Sequence, residues 1–248
     1  MSDELKNRKL LGKEISIVTA ISVVLVAVFS HIPANRELSG TLVAFSFLAI
    51  PFAAIFILKL DISEIGLSLA NWRSDLKLFA FLSLIVFPLY SLLYIPFQAY
   101  VMLVRATPKA GFFNLLSMLP DALTRLLSGW EWKLMDGWHL FIIAEIIATA
   151  LPEELFFRGY LQGRLEGLFS KRQKLFGAEV SLAIVVAAAI FALMHIVSMP
   201  NPQRLGVFFP ALIFGFLRAR TGSILSAILF HSAANIYTSF MDYCAFAG

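Results

Sequence analysis

The sequence predicts an all-α, polytopic transmembrane helical bundle of about seven spans (six to eight) with a cytoplasmic N-terminus. Three observations carry this. Apolar residues make up 59% of the 248 and charged residues 15%, against about 45–50% and 25% in soluble domains. That surplus does not fit inside one soluble core. The apolar residues also collect in runs that, at about 1.5 Å per helical residue, reach or approach a hydrocarbon thickness of about 30 Å. Finally, fourteen of the twenty Lys and Arg residues fall in alternate connections, as the positive-inside rule requires. A single cysteine, Cys244, excludes an internal disulfide and a cysteine-rich metal site. No basic face is clustered enough to suggest a nucleic-acid partner.

Taken in order, residues 15–33 form the first apolar run, behind Lys6, Arg8, Lys9 and Lys13. The run is longer than a signal-peptide core and no small-residue cleavage site follows, so it reads as a retained span. Residues 40–60 are the second span. Ile62–Leu67 mixes polar and apolar residues and is expected at the surface. Residues 76–104 are over-long for one crossing and contain Pro88 and Pro96, which predicts a kink or a tilted helix. Residues 107–136 hold two amphipathic stretches, followed by Trp130, Trp132 and Trp138. Tryptophans favour the membrane interface, and a packed interfacial loop is expected here rather than a lid or a membrane-surface helix. The remaining spans are 138–160, 178–199, 204–219 and 222–243, of which 204–219 is the shortest.

The basic residues orient this series. Lys6, Arg8, Lys9, Lys13, Lys59, Arg73, Lys77, Arg158, Arg164, Lys171, Arg172, Lys174, Arg218 and Arg220 share one side. Arg36, Arg105, Lys109, Arg125, Lys133 and Arg204 share the other. Residues 1–137 are then N-terminal spans plus the interfacial segment. Residues 138–248 carry the chemistry, within one integrated membrane domain.

The chemical candidates lie in the later spans. Glu153 and Glu154 are adjacent in the fourth, where ionisable groups are costly and functional by default. Glu154 and Arg158 are four residues apart, acid first, the favourable order for an ion pair. Glu153 is turned about 100° away, so one carboxylate can be paired while its neighbour faces elsewhere. Pro152 removes a backbone donor just before the pair. Gly159, Gly163 and Gly167 recur every four residues and permit close packing. The plainer reading has both glutamates salt-bridged at the cytoplasmic edge. His195 follows Phe191 on the same face of the fifth span; alone, it reads equally as a packing residue. His231 and Asn235 are one turn apart in the seventh span and offer two donors on one face, or polar glue between helices. No His-Glu-x-x-His or Gly-x-Ser-x-Gly motif occurs. Ser232, next to His231 in sequence, does not share its face.

The set Glu153-Glu154-x-x-x-Arg158, Phe191-x-x-x-His195 and His231-x-x-x-Asn235 resembles the CPBP family of intramembrane proteases, also called ABI. This family includes Rce1-like CAAX prenyl endopeptidases and bacteriocin-processing proteins. The resemblance covers roughly residues 138–243. It implies that Glu153 is the general base for water, that His195 helps hold and polarise it, and that His231 and Asn235 form an oxyanion hole. Glu154 and Arg158 are implied as supports. No cofactor is expected, with zinc on the histidines and glutamates as the alternative. The implied partners are the lipid bilayer and a membrane-associated protein or peptide: a prenylated CAAX-type, bacteriocin-type or C-terminal-anchor substrate. The stretch 152–165 is most similar to bacterial members, which implies a bacterial inner (plasma) membrane. Two rivals remain open at this point. One is a proton-coupled transporter using Glu145, Glu153 and the histidines as a relay; the other is a non-catalytic bacteriocin-immunity protein.

Overall fold

The computed structural model describes residues 2–32 and 36–246. The expected end of the first span at residue 33 and the last two residues, 247–248, lie outside the described residues. The chain is almost wholly helical, as its apolar periodicity requires. Among the described residues, three helices are long and apolar enough to cross a bilayer: 4–30 within α1 (Ser2–Ser30), 38–58 within α2 (Arg36–Leu58), and α3 (Trp72–Ala106). The protein is an integral membrane protein of helical-bundle type. At about 1.5 Å per residue, α3 is about 50 Å long, well beyond the hydrocarbon thickness. Pro88 and Pro96 both stand inside it.

Two compact units form. One comprises residues 1–79 and 143–232, the other residues 80–142 and 233–248. In the second unit, the stretch expected as a packed interfacial loop is instead a helix, α4 (Phe112–Ser128), with Pro120 inside. Its apolar stripe buries Leu115, Ala122 and Leu126 against Ala99 and Leu103. The spacing of those three residues, seven and four, places them on one face.

Residues 138–168 form one continuous helical run, α5, of which residues 143–168 lie in the first unit. Its winding is not uniform. Glu145–Ala150 and Leu155–Gln162 are π-helical, on either side of the short α-helical piece Leu151–Glu154. Pro152 supplies no N–H, and the Leu151 N–H bonds the carbonyl of Ile146, five residues back. π-turns of this kind reposition side chains within a helix and are frequent at functional sites. Here they bracket the two glutamates.

Several boundaries differ from the sequence reading. Residues 178–181 do not begin the fifth span. They are strand β2 (Ala178–Ser181), paired antiparallel with β1 (Arg172–Leu175). Ser181 then caps the following helix by accepting from the Ala183 N–H, and α6 runs Leu182–Ser198. This helix is apolar but shorter than the first three spans. The sixth span starts late because Pro202–Val207 winds as 3₁₀ turns before α7 (Phe208–Thr221). Gly222, at φ 75°, ends α7 in the left-handed region. Ser223 then accepts from the Leu225 N–H, and α8 spans Leu225–Phe246. The segment at Ile62–Leu67 is not simply superficial either. Ile65 is buried, in a 3₁₀ turn capped by Asp61.

Lipid tails compete with apolar side chains, so helices in a membrane associate by close packing of small residues. α6 supplies buried Ala183, Ala187, Ala188 and Ala192. A Cβ on Gly215 of α7 would come within 2.7 Å of Ile184 and 2.9 Å of Gln162. One on Gly159 would meet the Ile65 carbonyl at 2.9 Å. The glycine series on α5 therefore faces the Glu64–Ile65 backbone and, at Gly167, Leu11 of α1. Phe47, Phe156, Phe157, Tyr160 and Phe191 fill the core around it.

Candidate active site

The first unit buries a charged cluster inside this aromatic core. Glu154 and Arg158 are four residues apart on α5, and both are at most 1% exposed. The Arg158 Nη1 donates to Glu154 Oε1 at 2.9 Å, and Nη2 donates to the Ala211 carbonyl of α7 at 3.1 Å. The guanidinium also lies 4.7 Å from the Phe191 ring centre and 4.9 Å from that of Phe214. These faces supply cation–π attraction where water is excluded. A buried charge needs such compensation, because its desolvation otherwise exceeds the Coulombic gain.

His231 completes the cluster. Its Nδ1 stands 2.8 Å from the same Glu154 Oε1, and its ring stacks on Phe214 at 4.7 Å with a 16° interplanar angle. A carboxylate accepts but does not donate, so Nδ1 carries the proton in this contact. The other ring nitrogen, Nε2, is then directed elsewhere, and Glu153 Oε2 lies 3.8 Å from it. Glu153 Oε2 is itself buried with no hydrogen-bond partner among the described residues. The two adjacent glutamates thus differ sharply. Each leaves its Oε2 buried without a hydrogen-bond partner among the described residues, but Glu154 Oε1 is held by Arg158 and His231, while Glu153 Oε2 lies by the far nitrogen of the imidazole.

His195 is half-buried on α6. Its Nδ1 meets the Phe191 carbonyl at 3.0 Å, which places the proton on Nδ1 and leaves Nε2 as acceptor. The Phe191 ring is 4.4 Å from the His195 ring and 5.9 Å from that of His231. The structure therefore brings together Glu153, Glu154, Arg158 and His231, and sets His195 beside them across Phe191. Asn235 lies one turn beyond His231 on α8, in the residues of the second unit.

Some contributors have only faint sequence signals. Phe214, which touches both Arg158 and His231, looks like any apolar residue of a span. Glu14 is a lone acid at the head of the first apolar run. It accepts from the Tyr160 hydroxyl at 2.9 Å and twice from Arg164, at 2.8 and 2.7 Å. That bidentate contact ties α1 to the far end of α5 and steadies the helix bearing the glutamates. Among the described residues, no three His, Cys, Asp or Glu side chains are grouped so as to hold a metal ion.

A comparison with known proteins points the same way as these residues. Residues 136–237 match the family model of Rce1-like proteins, described as type II CAAX prenyl endopeptidase. The matched region contains Glu153, Glu154, Arg158, His195, His231 and Asn235. Over that region the chain is similar to CAAX-type prenyl endopeptidases. No curated protein and no solved structure matches the chain.

Proposed function

We propose that the protein is an intramembrane endopeptidase that hydrolyses a peptide bond with a water activated by Glu153. The observation that carries this is the contrast between the two carboxylates. Glu154 is neutralised by Arg158 and orients His231. Glu153 Oε2 is buried, unengaged and 3.8 Å from His231 Nε2. A separation of that size is one that a single water bridges with two ordinary hydrogen bonds.

In the first step, the water oxygen attacks the scissile carbonyl carbon and its proton passes to Glu153. The carbonyl π bond breaks and the negative charge collects on oxygen. In the second, the carbon–nitrogen bond breaks and the proton held by Glu153 goes to the leaving amine. His231, oriented by Glu154 as an imidazole is by a carboxylate in hydrolase triads, holds the water in register. Asn235, one turn along α8 from His231, is assigned as a donor to the developing oxyanion. His195 is assigned to polarising the reacting groups through its Nε2. Arg158 holds Glu154 in place through its Nη1.

The substrate class is a membrane-associated protein or peptide: prenylated CAAX-type, bacteriocin-type or C-terminally anchored. The N-terminus is assigned to the cytoplasm and the protein to a bacterial plasma membrane, on the distribution of basic residues and the character of residues 152–165. The mechanism needs no metal, so turnover should survive exhaustive chelation. Loss on chelation with recovery on adding zinc alone would overturn that part. The direct test is hydrolysis of quenched, membrane-anchored peptides by the purified protein. Cleavage by wild type and none by Glu153→Gln is expected. Equal turnover by both would remove Glu153 from the mechanism.

A further inference from the structure

The connection between α5 and α6 has a feature that the proteolytic reading does not use. β1 and β2 pair with Leu175 opposite Ala178, so Phe176 and Gly177 form a two-residue turn. Both have positive φ, 47° and 77°. Turns of this type favour Asn-Gly or Gly-Gly, and a bulky residue with positive φ is an outlier. Phe176 nonetheless occupies the position and is 84% exposed, with Leu175 beside it at 48%. Nothing in the turn requires an aromatic side chain there. Residues held in sparsely populated backbone regions cluster at functional sites.

The surroundings of this apex are basic. Lys171, Arg172 and Lys174 are exposed on the hairpin and its approach. Arg220, also exposed, lies beneath the turn, with its Nε 3.1 Å from where a Cβ on Gly177 would sit. The acid on the hairpin is Glu179, 3.7 Å from Arg172. Lys171, Lys174 and Arg220 therefore remain as excess positive charge around an apolar tip. The hairpin joins two helices of a membrane-embedded bundle, so it is tethered at a membrane surface.

We propose that the Leu175–Phe176 apex is a membrane-surface anchor that inserts into the headgroup region of an anionic leaflet, with Lys171, Lys174 and Arg220 contacting lipid phosphates. An aromatic–aliphatic tip set among cations is the composition that binds this boundary layer. Basic side chains at the rim are attracted by anionic lipids. The anchor holds down the connection between the helix carrying Glu153 and the helix carrying His195. It rests on the membrane location of the bundle and not on the proteolytic reading, so the two fail separately.

The test uses the full chain with Cys244→Ser and Gln173→Cys, carrying an environment-sensitive fluorophore at position 173. The protein is placed in nanodiscs of phosphatidylcholine, with or without phosphatidylglycerol. In the anionic discs, blue-shifted emission, quenching by nitroxide-bearing lipids and shielding from aqueous iodide are expected. Phe176→Asn suits the turn and keeps the hairpin, yet should abolish the lipid quenching. Lys171→Gln with Lys174→Gln should remove the difference between the two lipid compositions. Iodide access that is full and equal in both discs would overturn the anchor. So would lipid quenching unchanged by Phe176→Asn. A probe shielded from iodide but untouched by nitroxide lipids would mean that protein, such as a second copy of the chain, covers the apex instead.

Discussion

The two compact units place polar groups among apolar helices in different ways. In the unit of residues 1–79 and 143–232, full charges are buried: Glu154 and Arg158 are at most 1% exposed, and His231 shares the same carboxylate oxygen. In the unit of residues 80–142 and 233–248, the corresponding contacts are of neutral donors or lie nearer the surface. The Tyr94 hydroxyl donates to Asp242, which also accepts from Gln98 at 3.4 Å. Ser91 and Tyr237 hydroxyls meet at 2.6 Å, and Lys133 pairs with Glu131 in the open. Neutral hydroxyl contacts join helices at small cost and small gain. Buried charges are different, because each is tolerable only while its partner is present. The difference shows where the molecule concentrates its sensitivity: in the unit whose groups are arranged for chemistry.

This contrast is open to direct attack. The largest effect should come from Glu153→Gln. General acid–base groups contribute about 10²–10⁴ in rate, so turnover should fall by that order while detergent melting stays near wild type. Arg158→Met should act mainly on stability. Removing one partner of a buried pair costs about 3–5 kcal/mol, read by thermal unfolding in detergent. Combined with Glu154→Gln in a double-mutant cycle, it should show coupling; strict additivity would mean the pair contributes nothing as a unit. Gly159→Ala comes next. Its Cβ would press on the Ile65 carbonyl at 2.9 Å, and overpacking of this kind costs about 1–3 kcal/mol. Tyr94→Phe should have the smallest effect, about 1 kcal/mol for one net hydrogen bond. If Tyr94→Phe destabilises as much as Arg158→Met, the distinction between the units is lost.

Much of the fold was legible because a helix in lipid must be apolar over most of its length. Residues 15–33, 40–60 and 76–104 correspond to α1, α2 and α3 for that reason. The amphipathic residues between 112 and 127 read as a packed interfacial loop, yet their apolar stripe winds as α4. The errors fell where local chemistry competes with apolarity. Ala178–Ser181 directly precedes an apolar run and reads as part of it, but a turn at Phe176–Gly177 folds it back on β1 as a strand. Ile62–Leu67 lies largely at the surface as its mixed composition suggests, but Gly159 has no side chain, and that opening admits Ile65. The π-turns around Pro152 left no signal beyond the proline itself.

The same division holds at the candidate site. Helical periodicity by itself determined that Glu154 and Arg158 stack, that Glu153 faces away from them, and that His231 and Asn235 share a face. Each of those relations is set within a turn or so of one helix, where side chains four residues apart stay neighbours. Periodicity does not say which helix a face meets. Glu154 and His231 are 77 residues apart in sequence and 2.8 Å apart in space. Phe214 between Arg158 and His231, and Glu14 on Arg164, are equally remote from their partners along the chain. These contacts depend on how closely the helices approach, and that is decided by small residues such as Gly159, Ala187 and Gly215 acting together. Only the packed structure could therefore decide that His231 stands between the two glutamates, because the choice belongs to the joint packing of α5, α6, α7 and α8 and to no single segment.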